Sequence, residues 1–162
     1  MKGDYFSSDI LEFLRLLNQH HVKYVIVGGE AVIYYGYPRL TGDIDIFYRN
    51  TDENTEALFN ALIEFWGNDI PGIDDKAELT QPGYVIQFGV PPNRIDLLNE
   101  IEGVDFEKAW KEKKTEQVAC REYDVSVHFL GLKQLIMNKE QTGRPKDLDD
   151  LNYLKSIEHQ DG

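Results

Sequence analysis

The sequence predicts a domain of the α/β (α+β) class, which contains both helices and strands. Three patterns indicate it. Residues 25–27 are apolar and β-branched and end in a glycine pair, as a short buried strand does before a turn. Residues 43–47 alternate polar and apolar side chains, which is typical of a half-buried strand. Leucine and isoleucine recur at helical spacing near both ends of the chain. Strands and amphipathic helices are therefore expected within one fold.

Length and composition favour a single domain over residues 1–162, with C-terminal helices from about residue 131. The hydrophobic content of 41% is enough for a core and argues against disorder. No apolar run approaches a membrane span, and no apolar segment of a signal peptide follows Lys2. The single cysteine, Cys120, excludes an internal disulfide and fits a reducing compartment. We therefore expect a cytoplasmic protein that does not enter a membrane.

The charge balance restricts the partners that we expect. The chain carries 17 basic and 29 acidic residues, a net charge of −12. A protein this acidic repels polyanions at long range, so a nucleic-acid partner is disfavoured. A small substrate, or a nucleotide that arrives with its metal ion, is less affected. The four histidines have no cysteine partners, and a zinc site is not expected.

The first half of the chain predicts helices and strands in alternation. Asp9, followed by Glu12 three residues later, is typical of a helix start. The predicted elements are a helix over 9–19, a strand over 25–27, a glycine turn at 28–29, a helix over 30–35, a strand over 43–47 and a helix that starts within 51–55.

The second half predicts two strand pairs followed by helices. Two prolines at 91–92 predict a hairpin turn, and Pro145 suits the first position of a helix. The predicted elements are strands over 84–90 and 94–98, a helix over 106–111, strands over 115–120 and 123–129, and helices over 131–140 and from 145. Residues 67–83 are rich in Gly, Pro and Asp, which predicts either a lid or a loose surface loop.

Three features of these elements point to chemistry. Because residues i and i+2 of a strand share a face, Asp43 and Asp45 should lie side by side, where two carboxylates suit Mg²⁺. Gly28 and Gly29 would expose backbone N–H groups with no Cβ to block an anion. Asp96 is a polar residue in an apolar strand, and a buried carboxylate needs a partner.

The glycine pair, thirteen residues and then Asp43-Ile44-Asp45-Ile46 resemble the signature of the DNA polymerase beta-type nucleotidyltransferase superfamily. Arg39 and Thr41 extend the match to an Arg-x-Thr-x-Asp-h-Asp run. That run is similar to a small bacterial branch grouped with abortive-infection toxins and some antibiotic nucleotidyltransferases. A second string, residues 139–148, is similar to the Lys, Gly-Arg, Lys-Asp string of related chains.

The resemblance implies a mixed, largely antiparallel sheet flanked by helices. It implies transfer of a nucleoside monophosphate from an NTP to a hydroxyl acceptor, with Mg²⁺, or Mn²⁺ in its place, as cofactor. Its third carboxylate matches Asp96. The residues implied for catalysis and metal binding are Asp43, Asp45 and Asp96, and those for nucleotide binding are Gly28, Gly29, Arg39, Thr41, Lys139 and Lys146.

Purely structural interpretations of the same residues stay open. Asp96 would equally suit a local ion pair with Arg94, and Arg39 an ion pair with the aspartates. Lys139 and Lys146 would equally suit an ordinary surface, and Thr41 a turn.

The functional alternatives also stay open. The acceptor could be a small molecule, an RNA end or a protein, and the resemblance includes toxin–antitoxin and defence systems. The chain lacks the large helical domain with which many relatives hold the acceptor. The second half of the acceptor site could therefore come from a homodimer or from a partner protein. Glu30 places a negative charge beside the supposed phosphate turn. A non-catalytic nucleotide-binding or toxin–antitoxin partner protein of the same fold is one alternative, and a metal-dependent nuclease is another.

Overall fold

The computed structural model describes residues 5–37, 43–120 and 123–161. The elements in chain order are α1 (Ser8–Gln19), β1 (Tyr24–Val27), α2 (Gly28–Tyr34), β2 (Asp43–Tyr48), α3 (Asp52–Trp66), a 3₁₀ helix (Lys76–Thr80), β3 (Val85–Phe88), β4 (Arg94–Leu98), α4 (Phe106–Lys111), β5 (Lys114–Ala119), β6 (Asp124–Phe129), α5 (Leu132–Thr142) and α6 (Pro145–Asp161). Within these residues, no helix is long and apolar enough to cross a bilayer.

The strands form one sheet in the order β3-β4-β2-β1-β6-β5. The pairs β1–β2, β3–β4 and β5–β6 are antiparallel, whereas β1–β6 and β2–β4 are parallel. The prediction of a mixed, largely antiparallel sheet flanked by helices is therefore confirmed. The two parallel pairs flank the central antiparallel pair β1–β2, and they bring together strands that are distant in the chain.

Helices cover both faces of the sheet. On one face, α1 and α3 pack against Ile26, Ile44 and Ile95. On the other face, α2, α4, α5 and α6 pack against Val25, Val27 and other apolar residues. Because β2 alternates and its isoleucines face α1 and α3, its two aspartates lie on the opposite face. The alternation that the sequence shows thus decides on which face a polar site can form.

Two predicted helix starts are wrong in detail. Helix α1 is capped by Ser7, whose hydroxyl accepts a hydrogen bond from the Ile10 N–H at 3.3 Å, and not by Asp9, which lies inside the helix. Glu12 accepts instead from Arg15 Nε at 2.9 Å, so it does not complete a capping box. Helix α2 begins at Gly28, two residues before the predicted start, and the φ of 67° at Gly28 is the left-handed conformation of a glycine turn into the helix.

Residues 67–83 are mostly exposed, but Ile70, Ile73 and Leu79 are buried in the core, so the segment is anchored and its interpretation as loose is wrong. Leu79 of this segment is fully buried. The buried Asn99 holds the segment, because its Nδ2 donates to the Leu79 carbonyl at 3.2 Å and to the Gln81 carbonyl at 2.8 Å. Its Oδ1 accepts from the Gly83 N–H at 2.9 Å. The side chain thereby supplies the backbone partners that a strand would otherwise provide. A role of the segment as a lid stays a prediction.

We predict that Asn99→Ala lowers the free energy of unfolding by about 1–3 kcal/mol, because the Gly83 N–H loses its bond to Asn99 and both carbonyls lose one donor. The Leu79 carbonyl still accepts from Tyr48 Oη, and the Gln81 carbonyl from the Tyr84 N–H. Urea denaturation measures this change, and hydrogen exchange should accelerate at the Gly83 N–H. Asn50→Ala is the matched control, since the exposed Asn50 makes one bond to the same segment, at 2.9 Å to the Thr80 carbonyl. An equal loss in both variants would contradict the special role of Asn99.

Candidate active site

The pairing of β2 with β4 builds the site. These strands are parallel, and their register places Asp45 opposite Asp96 and Asp43 opposite Arg94. Residues that are opposite in register point to the same face of a sheet. The isoleucines between them face the other side. Four charged side chains from two strands therefore share one small area of the sheet.

The three carboxylates converge. Asp43, Asp45 and Asp96 each offer an oxygen, and these oxygens lie within 4.8 Å of one another. Asp96 is buried, and the other two are half-buried. Oxygen ligands at about 2.0–2.6 Å from one Mg²⁺ or Ca²⁺ ion are separated by distances of this size, so the donor set fits a hard divalent cation. Their role in metal binding and catalysis stays a prediction.

Crowding of negative charge raises the pKa values in this area. Burial, then the charges of Asp43 and Asp96, raises the pKa of Asp45 to about 8. Burial also raises the pKa of Asp96, although hydrogen bonds and charge from Arg94 oppose it. Burial, then the Asp43 charge, raises the pKa of Glu30. Asp45 therefore keeps a proton at neutral pH because of burial and neighbouring negative charge, and a cation can take the place of that proton.

Arg94 bridges two of the three carboxylates. Its Nη2 donates to Asp43 Oδ2 at 2.9 Å, and its Nε donates to Asp96 Oδ1 at 3.1 Å. The local ion pair that the sequence left open is therefore present, and it extends across both strands. Gln87 Nε2 also donates to Asp96, at 3.4 Å. These donors fix the orientation of the carboxylates.

Gly28 is required here by the carboxylate itself. A Cβ built on Gly28 would collide with the Asp45 carboxylate, and the φ of 67° disfavours any side chain. The sequence analysis explained the glycine differently, by the approach of a phosphate to its backbone N–H. That role of Gly28 stays a prediction. Gly29 is half-buried in the first turn of α2.

A cleft of about 880 Å³ lies over these residues. Asp45, Asp96 and Gly28 line it on the sheet side, and Lys139 and Arg144 line it on the side of α5 and α6. Its volume is within the range of pockets for small molecules and cofactors. Acidic groups thus face basic groups across a space that is large enough for a nucleotide.

The structure places the two predicted phosphate-contacting lysines in different environments. Lys139 is 2% exposed, and its Nζ lies 3.0 Å from Asp147 Oδ1 and 3.2 Å from Asp150 Oδ2. Its interpretation as an ordinary surface lysine is wrong, and two carboxylates already neutralise its charge. Lys146 is exposed on the first turn of α6.

Two other predicted nucleotide-binding residues, Arg39 and Thr41, lie outside the described residues. The structure therefore gives no contacts for either side chain.

Arg144 is a basic residue of the cleft that the sequence interpretation missed. Its side chain is 53% exposed, and its Nε donates to Asp147 Oδ2 at 2.8 Å. Burial raises the pKa of Asp147, but hydrogen bonds from Arg144, Thr142 and Lys139 outweigh burial and hold that pKa below its ordinary value. Asp147 therefore stays ionised and fixes Arg144 at the rim. The signal in the sequence was the Gly-Arg-Pro break between two helices.

The fold and the acidic site define a nucleotidyltransferase-like class, and comparisons with known proteins agree. A family model described as nucleotidyltransferase of unknown function (DUF6036) matches residues 8–161, and the chain belongs to this family. The structure is similar to the crystal structure of a presumed nucleotidyltransferase from Thermotoga maritima, with a TM-score of 0.54 and 13% identity over 97% of this chain and 96% of that chain. At this identity the likeness shows the fold. No curated protein matches the chain.

We predict that the metal-free protein loses stability as the pH rises from about 4 to about 8. The pKa of Asp45 is about 8 in the folded protein against an ordinary value of 3.8. In this interval the folded state keeps a proton that the unfolded chain releases, so raising the pH favours unfolding. Urea denaturation with a chelator, at about pH 5 and about pH 9, measures the decline.

Asp45→Asn should reduce this decline, because the amide does not titrate. The comparison isolates Asp45 from Asp96 and Glu30, whose raised pKa values act in the same direction. A decline of the same size in the variant would show that Asp45 is not the group responsible.

Proposed function

We propose that this protein is a Mg²⁺-dependent nucleotidyltransferase that moves a nucleoside monophosphate from an NTP to a hydroxyl acceptor, with release of pyrophosphate. The convergence of Asp43, Asp45 and Asp96, the last two of which line a nucleotide-sized cleft, is the observation that carries the proposal. The family description supports the same reaction class. Mn²⁺ has the same preference for oxygen ligands and could replace Mg²⁺.

The carboxylates have separate tasks in this proposal. Asp43, Asp45 and Asp96 would hold the metal, which neutralises phosphate charge and stabilises the charge that develops during transfer. Asp96 is the candidate to accept the proton of the attacking hydroxyl, because burial raises its pKa toward the working range of a base. Arg94 holds Asp43 and Asp96 in place before the metal binds, and it partly balances their charge.

The triphosphate lies between the two walls of the cleft. Gly28 lines the cleft on the sheet side, where its N–H and that of Gly29 would be the donors to phosphate. Arg144 contacts it from the side of α5 and α6, where the guanidinium keeps N–H groups beyond those used by Asp147. Lys146, Arg39 and Thr41 stay candidates for further contacts. Lys139 acts indirectly, because it ties α5 to α6 through Asp147 and Asp150.

The acceptor is not assigned. The charge of −12 favours a small molecule or a protein over an RNA end. A toxin–antitoxin or defence role, a cytoplasmic location and a homodimer or protein partner belong to the same proposal, on the basis of the sequence resemblance and composition. Growth arrest on expression that depends on Asp45 would support the toxin role.

A non-catalytic nucleotide-binding protein is the second candidate, and one observation favours it. Arg94 already bridges Asp43 and Asp96, so a positive charge lies where a metal would compete. Nucleotide binding without any product would select this candidate. Cleavage of RNA or DNA that depends on Asp43 would select the nuclease instead.

We predict that Asp45→Asn and Asp96→Asn each reduce nucleotidyl transfer by about 100-fold or more, because each removes a metal ligand. The assay combines each α-labelled NTP, Mg²⁺ and a panel of acceptors, and it follows pyrophosphate release and label transfer. Asp149→Asn, which changes an exposed residue of α6, is the matched control and should keep full activity. Unchanged turnover in Asp45→Asn would refute the proposed mechanism.

We predict that Arg144→Gln raises the KM for NTP about tenfold or more, with a smaller effect on kcat, because a charged hydrogen bond to phosphate contributes about 1.5–3 kcal/mol. Arg144→Lys should recover part of the loss. Lys155→Gln is the control, since Lys155 is exposed and pairs with Glu140 at 3.7 Å. The same KM in Arg144→Gln and in the parent would exclude the phosphate contact.

A further inference from the structure

Two lysines approach one tryptophan on a surface away from the carboxylates. The Nζ of Lys113 lies 3.8 Å from the centroid of the Trp110 ring, and the Nζ of Lys23 lies 5.9 Å from the same centroid. Lys113 also donates to the Trp110 carbonyl at 3.1 Å. The indole attracts both ammonium groups, and it holds them close enough to repel each other.

The positive charge at this point is not neutralised within the described part of the chain. There, neither Lys23 nor Lys113 has a carboxylate within the 4.0 Å of an ion pair. Burial, then the charge of Lys23, lowers the pKa of Lys113. Burial, then the charge of Lys113, lowers the pKa of His128 to about 4, and His128 lies against the same indole. Burial and a neighbouring ammonium group thus lower the pKa of both Lys113 and His128, in a protein of net charge −12.

A cavity of about 250 Å³ adjoins Lys23, and Arg49, His20 and His21 line it as well. Arg49 lies beside Lys23 because its N–H donates to the Lys23 carbonyl at 3.2 Å, where β1 and β2 meet. Three carboxylates also lie in this area: Glu53 lines the cavity, Glu107 pairs with Arg49, and Glu64 lies 3.7 Å from His20 Nε2. Among the described residues of this area, the charge without an ion-pair partner is therefore that of the two lysines on Trp110.

This surface is distinct from the carboxylate site. Lys23 precedes β1, whose other end, Val27, is in register with Asp45. Arg49 follows β2, which begins with Asp43. Four residues of strand separate Lys23 from Val27, and Arg49 from Asp45, which corresponds to about 13 Å. An anion at Lys23 therefore does not reach a metal held by the aspartates.

We propose that Lys23 and Lys113, with the cavity beside Lys23, form a second site that binds phosphate oxyanions. The two ammonium groups supply charged donors for phosphate oxygens, whereas Glu107 already neutralises the neighbouring Arg49. The occupant could be a free phosphate or pyrophosphate, or the backbone phosphate of a nucleic acid, and the chemistry is the same. The site does not depend on the proposed transferase activity.

The test uses the intrinsic fluorescence of the full chain. Trp66 and Trp110 are its two tryptophans, so Trp66→Phe leaves Trp110 as the single reporter. The protein is titrated with sodium pyrophosphate and sodium phosphate in the presence of a chelator, against sodium chloride of equal ionic strength. The chelator removes metal-assisted binding at the aspartates. We expect a saturable change with pyrophosphate and none with chloride.

Charge variants localise the binding. Lys23→Gln and Lys113→Gln should each weaken pyrophosphate binding about tenfold, Lys113→Arg should retain it, and Lys155→Gln is the control that should match the parent. Circular dichroism checks that each variant is folded, and Lys113→Arg keeps the test informative if Lys113→Gln unfolds. No saturable response to any phosphate compound, or a response that persists in the Lys23→Gln, Lys113→Gln double variant, would overturn the proposal.

A second arm distinguishes the two sources of phosphate. A single-stranded decanucleotide that binds more tightly than pyrophosphate, with an affinity that falls steeply with salt, would identify a nucleic-acid backbone. Binding of pyrophosphate alone would identify a small-anion site. Either result supports the site, provided that the lysine variants weaken it.

Discussion

The parallel register of β2 and β4 is the constraint on which the site depends. It sets Asp45 directly opposite Asp96, so the fold places carboxylates at a separation where they repel. The molecule offsets this repulsion in two ways that are visible in its contacts: Arg94 bridges Asp43 and Asp96, and the pKa of Asp45 is raised to about 8. A strand register is normally specified by apolar packing, and here the isoleucines on the opposite face specify it. The core therefore supplies the energy that holds the acidic groups together.

On the side of the cleft formed by α5 and α6, charged groups are buried between the two helices. Lys139 is almost fully buried, and a buried cation is costly unless it is paired. Asp147 and Asp150 provide the pairing, and Asp147 also accepts from Thr142 Oγ1 at 2.6 Å. This network fixes the break between α5 and α6, and the break places Arg144 at the rim. The acidic floor and the basic rim are thus each held by charges of the opposite sign.

The sequence predicted the parts of this structure that follow from local periodicity. The alternation over 43–47 and the apolar strand around Asp96 were sufficient to predict a carboxylate site, because strand geometry decides which side chains share a face. The fold class followed from the same patterns together with the resemblance. The order of the strands did not follow from periodicity, since the pairing of β2 with β4 joins residues about fifty positions apart.

Other features escaped because they depend on tertiary contacts. The burial of Lys139 requires two aspartates on another helix, and a lysine in an amphipathic pattern gives no sign of them. Arg144 lies between two helices, and only the packing of α5 against α6 and the ion pair with Asp147 place it at the cleft. The packing of residues 67–83 depends on Asn99, which lies outside that segment. Composition correctly indicated an irregular segment, but it could not indicate the side chain that holds it.

The contact between Gly28 and Asp45 has a consequence for natural variation. The carboxylate of Asp45 occupies the space that any side chain at position 28 would need. Substitutions at the two positions are therefore accepted only in one order. A lineage must first lose the acid at 45 before it can accept a larger residue at 28, and even then the backbone angle selects against most replacements. A larger residue at this position in a distant relative therefore indicates that the carboxylate of residue 45 is absent or lies elsewhere.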